Sequence, residues 1–177
     1  PTPGDLPGVY NFTFTPKLEG GYRGWADVTP LATGNQQFVV ADLGRPLGGG
    51  IDKTEKYESI AEGYKFTLTF DEPPSLKGES MGTVSVSTVS GQPVTSLEPV
   101  MGAYAHVVGF YDDFRTVIHT HPMGKEPVSN SDRGGSQITF HLVPEKQGFV
   151  RLFAQVRIGG KDIYAPFGVI VAEKKSG

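Results

Sequence analysis

The sequence predicts an all-β protein, an antiparallel Greek-key β-sandwich, and three observations carry that expectation. β-branched and aromatic residues recur with a period of two from end to end. These runs are punctuated by turn formers, with 24 Gly and 14 Pro in 177 residues. No window of useful length carries the apolar stripe of an amphipathic helix.

Taken in order, strands are expected at Val9–Thr15, Tyr22–Thr29, Gln37–Leu43, Tyr64–Phe70, Gly82–Val89, Tyr104–Tyr111, Thr116–His121, Gln137–Val143, Phe149–Ile158 and Ile163–Ala172. Short strands at this spacing favour two packed sheets. Lys53–Ala61 reads equally as a strand or a helical turn. Leu47–Ile51, with three consecutive glycines, is the best linker candidate.

The chain also resembles itself. Tyr10–Val28 lies on Ile138–Val156 without gaps, with identities at Phe12/Phe140, Pro16/Pro144, Gly20/Gly148, Arg23/Arg151, Ala26/Ala154 and Val28/Val156. After a short indel, Phe38 falls against Phe167. The organisation expected is residues 1–50 as a partial sandwich repeat of three final strands, 51–61 as linker and 62–177 as a complete sandwich. Three strands cannot bury both faces alone, so they are expected to pack on the second domain as extra strands, to pair with a second copy of the chain, or to be completed by a missing upstream segment.

Composition narrows the chemistry. Cysteine is absent, which excludes disulfides, thiolate zinc sites, iron–sulfur clusters and blue copper. Lys and Arg number 16 against 19 Asp and Glu, and the net charge of −3 offers nucleic acid no basic footprint. No apolar run approaches the roughly 20 residues of a membrane helix. The chain opens on Pro1 rather than Met, so an N-terminal segment, with a signal peptide or lipid anchor in it, is expected to have been removed.

All four histidines, His106, His119, His121 and His141, fall in one stretch. Within an extended strand His119 and His121 share a face. Asp112-Asp113 supplies a tight turn between the strands that hold His106 and the His119/His121 pair, which brings His106 opposite roughly residues 118 to 120. Three neutral imidazoles suit copper or zinc. Met101 and Met123 are nearby thioethers able to serve Cu(I), although a Met after His-Pro is more often a packing residue. His141 alternates with Phe140 and Leu142, so it is either a fourth ligand or a surface residue. Read singly, His106 is a core histidine satisfied by a backbone carbonyl.

The stretch from Gly91 to His106, which includes Gly102-Ala103-Tyr104-Ala105-His106, together with His119-Thr120-His121-Pro122 and Gly148–Val156, resembles a family of bacterial exported proteins over about residues 62–173. Those proteins carry a small sandwich of the cupredoxin-like or immunoglobulin-like kind. The resemblance implies a periplasmic or secreted location, possible lipid anchoring, and a copper or zinc site at His106, His119 and His121.

The function expected is therefore extracytoplasmic metal binding, for sequestration or delivery of copper or zinc. The alternative is a non-catalytic recognition or structural module with incidental histidines. An enzyme is not expected, since no nucleophile elbow and no catalytically spaced carboxylate pair is present. The core is expected to include Phe110, Phe140, Leu152 and Phe153.

Overall fold

The computed structural model describes residues 1–16, 19–35, 37–44, 50–120 and 122–173, with the backbone but not the side chain of His119. The chain divides into two compact units, Pro1–Gly50 and Ile51–Gly177. Most of the expected Leu47–Ile51 linker lies outside the described residues.

In the first unit, β1 (Thr2–Pro3) pairs with β2 (Tyr10–Asn11), and β3 (Gly21–Val28) pairs with β4 (Gln37–Gly44), both antiparallel. The strand expected over Val9–Thr15 shrinks to two residues. Pro3 has no N–H to donate and a turn closed by Gly4 N–H to Val9 O follows at once, so that ladder ends. No described residue of this unit is buried. Its sheets are two-stranded ribbons, which bury little by themselves.

Pairing registers test the proposed repeat strand by strand. Gly20 and Gly148 both sit at positive φ, 143° and 127°, just before or at the start of the long strand that follows. The returning strands do not continue the match. Phe38 pairs with Asp27, whose counterpart is Gln155, and Gln155 pairs with Tyr164 rather than Phe167. The two hairpins therefore differ in register from the turn onward, and the Phe38/Phe167 correspondence fails.

Among the described residues, the second unit contains nine strands: β5 (Glu58–Ala61), β6 (Tyr64–Phe70), β7 (Ser80–Thr88), β8 (Ala105–Tyr111), β9 (Val117–Thr120), β10 (Pro122–Met123), β11 (Gln137–Leu142), β12 (Gly148–Ile158) and β13 (Lys161–Val171). They form two antiparallel sheets, in the orders β10-β11-β7-β6-β5 and β13-β12-β8-β9. Leaving β5 aside, this is the strand order of an immunoglobulin-like sandwich, reached through the non-consecutive pairs β7–β11 and β8–β12.

Residues 51–61 are not a linker but part of this unit. The Glu62-Gly63 turn folds β5 back onto β6. Lys56 exchanges two backbone hydrogen bonds with Gly168 of β13, and Arg151 donates from Nη2 to the Asp52 carbonyl at 2.6 Å.

Alternation along each strand builds the core. One sheet contributes Phe66, Leu68, Val84, Val86, Ile138, Phe140 and Leu142, and the other Ala105, Val107, Tyr111, Val150, Leu152, Ala154, Val156 and Phe167, all buried. Phe110 and Phe153, expected inside, occupy the opposite face of their strands. There they pack edge to face with centroids 6.1 Å apart. The β8–β9 hairpin forms as expected. Asp113 closes it, accepting from the backbone N–H groups of Arg115 and Thr116 at 2.8 Å and from Lys146 Nζ at 2.6 Å.

Candidate functional site

β8 is a central strand, with Ala105, Val107, Gly109 and Tyr111 turned into the core. His106 therefore falls on its other face, half-buried. Its Nε2 lies 2.9 Å from the carbonyl oxygen of Val100. A carbonyl only accepts, so Nε2 is the donor in this contact, and Nδ1 is the ring nitrogen it leaves open. The reading of His106 as carbonyl-satisfied is thus correct for one nitrogen only. A backbone carbonyl holding one ring N–H is also the usual way in which a metal-ligating imidazole is oriented.

The carbonyl that holds His106 belongs to a tight turn. Val100 and Ala103 exchange backbone hydrogen bonds of 2.8 and 3.1 Å across Met101-Gly102. Met101 has φ of 47° and Gly102 of 82°, the signature of a two-residue type I′ turn. Asn-Gly or Asp-Gly is favoured there. A Met in the left-handed region costs about 1–2 kcal/mol, and its side chain is 71% exposed.

A cleft of about 540 Å³ opens beside this turn. Met101, Tyr104 and His106 line one part of it, and Met123, Lys125, Glu126 and Arg133 another. Met123 is brought in because β10 pairs with β11, with Met123 opposite Thr139. It too is exposed, at 56%. Tyr104 packs against the backbone of Gly134, where a Cβ would meet its ring at 2.5 Å. Among the described residues, two cations and one carboxylate border a surface to which two thioethers, an imidazole and a phenol contribute beside Gln137, Ile138, Pro122 and small residues.

The other histidines fall differently. His119 stands opposite Val108 in the β8–β9 register, two residues from the position expected opposite His106. That makes His106 and His119 diagonal neighbours, with backbones roughly 7–8 Å apart. The His119 side chain and all of His121 lie outside the described residues. His141 belongs to β11 in the other sheet, pointing outward between buried Phe140 and Leu142, with Nε2 3.9 Å from Glu79 Oε2. It does not line the cleft, so of the two readings open for it the surface residue is the one that fits. Among the described residues, no group of three or more His, Asp or Glu side chains is arranged to hold a metal ion.

Alternation along the strand places Tyr104 on the same face as His106, whereas nothing in the sequence pointed to Lys125 and Arg133 as lining of the same cleft. No helix among the described residues is long and apolar enough to cross a membrane. Residues 58–173 match a family described as a domain of unknown function (DUF8832). No curated protein matches the chain.

Proposed function

The chain belongs to the DUF8832 family across residues 58–173, and on the donor chemistry of the cleft we propose that it is an extracytoplasmic metal-binding protein that sequesters or delivers copper or zinc. The observation that carries this reading is the hydrogen bond from His106 Nε2 to the Val100 carbonyl. With Nε2 held by Val100, Nδ1 is the ring nitrogen left to bind an ion, and His106 lines a cleft large enough for an ion and its remaining ligands. His119 and His121 are the residues expected from the sequence to complete the donor set, while His141 is left out of it. The described lining does not resemble a hard-oxygen cage, since among the described residues Glu126 is its one carboxylate.

The test is elemental analysis of the full chain after chelator treatment and dialysis against limiting copper or zinc. Near-stoichiometric metal is expected on the wild type and on His141→Ala, with loss on His106→Ala. Undiminished loading of the His106 variant would overturn the assignment.

A further inference from the structure

We infer that the cleft is a site for cuprous copper in which the Met101 and Met123 thioethers are specificity-determining ligands beside His106. This deepens the metal-binding reading and rests on it.

The chain has three methionines, and two of them line the same cleft as His106 although they lie 22 residues apart in sequence. The third, Met81, is half-buried in β7. Methionine is normally used to fill apolar interiors, yet Met101 and Met123 leave 71% and 56% of their surface in solvent. Packing therefore does not explain either of them. Backbone preference does not explain Met101, because its φ of 47° disfavours any side chain with a Cβ. What the strained turn does is twofold: it puts Met101 in the cleft lining, and through the Val100 carbonyl it holds the His106 ring. One device thus sets a sulfur donor and a nitrogen donor together.

Thioethers are soft, neutral donors. They select Cu(I), whereas Zn(II) and Cu(II) favour imidazole nitrogen and charged ligands. Charge acts in the same direction. Lys125 and Arg133 outnumber Glu126 around the cleft, and a cationic border repels a divalent ion about twice as strongly as a monovalent one.

The inference is tested on the full chain under anaerobic conditions with ascorbate. Cu(I) affinity is measured by competition with bicinchoninate, and Zn(II) affinity is measured separately with a chromophoric zinc chelator. The variant is Met101→Leu/Met123→Leu, which keeps volume and removes both sulfurs at exposed positions. The expected result is a loss of Cu(I) affinity of about 100-fold, roughly tenfold per donor, with Zn(II) affinity unchanged. X-ray absorption of the loaded wild type is expected to show sulfur bound to copper. Undiminished Cu(I) affinity in the variant, with metal still bound by the wild type, would overturn the inference and leave the His106 reading standing. A wild type that binds neither ion would remove the metal-binding reading and this inference with it.

Discussion

Gly82 of β7 lies under the ring of Phe140, and a Cβ built on it would meet three ring atoms at 2.3–2.7 Å. Phe140 is fully buried and packs edge to face on Phe70, centroids 6.1 Å apart, so the ring has nowhere to retreat. Gly82→Ala should therefore overpack the core at a cost of about 1–3 kcal/mol. The gain of about 0.5–1 kcal/mol from removing a strand-interior glycine offsets part of that. Phe140→Ala should cost about 3–5 kcal/mol through the cavity it leaves. Combined, the changes should not add. With the ring gone, the new methyl enters the vacated space, and burying it contributes about 0.8 kcal/mol. The double variant should thus be more stable than Phe140→Ala alone, with a coupling energy of about 2–3 kcal/mol. Urea unfolding followed by far-UV circular dichroism measures all four corners of the cycle. Fluorescence of the single tryptophan is unsuitable, because Trp25 belongs to the other unit. Additivity within about 0.5 kcal/mol would refute the packing argument.

Tyr111→Phe removes a hydroxyl that donates to the Lys146 carbonyl from a fully buried ring; a loss of about 1–2 kcal/mol in chemical denaturation is expected. Asp113 gives a pH-dependent effect. Burial alone would raise its carboxyl pKa, but hydrogen bonds from Lys146, Thr116 and the Arg115 backbone outweigh that and hold it below the usual carboxylate range. A depressed folded-state pKa contributes stability that is present above about pH 4 and is lost as pH falls through the folded value. Asp113→Asn should accordingly destabilise the fold by about 1–2 kcal/mol at pH 7, and by less in a denaturation series extended down to pH 2. Gly134→Ala should displace the Tyr104 ring from its place against residue 134, and the proposed copper binding should weaken in titration calorimetry while the circular dichroism spectrum stays that of the wild type.

The strands were legible where alternation was strong and their ends were marked by ordinary turn residues. β6, β11 and β12 fall within a residue or so of their expected bounds, because Phe66/Leu68, Ile138/Phe140/Leu142 and Val150/Leu152/Ala154/Val156 each repeat with period two. The direction of β8 was not legible, since both of its faces are apolar and a period of two does not say which one turns inward. Two further misses share a cause. Glu62-Gly63, with φ of 50° and 82°, and Met101-Gly102, with 47° and 82°, are type I′ turns whose first residue is neither Asn, Asp nor Gly. Overlooking the first turned β5 into a linker, and overlooking the second hid the contact between Val100 and His106. Gly159-Gly160, the same turn with conventional residues, was read correctly as the break between β12 and β13. Tertiary packing supplies the left-handed conformation that local propensity withholds, and no composition rule registers it.

Thr120 ends a strand of one sheet and Pro122 begins a strand of the other. The chain thus passes from one layer to the other at this corner of the sandwich. The cleft borders the same corner through Pro122 and Met123. A ligand bound there, and contacting β8 as well, would act as a clasp on the seam of the sandwich. Its arrival would then be felt far from the donors, as slower amide exchange along β8 and β11 and as a later, sharper unfolding of the whole second unit.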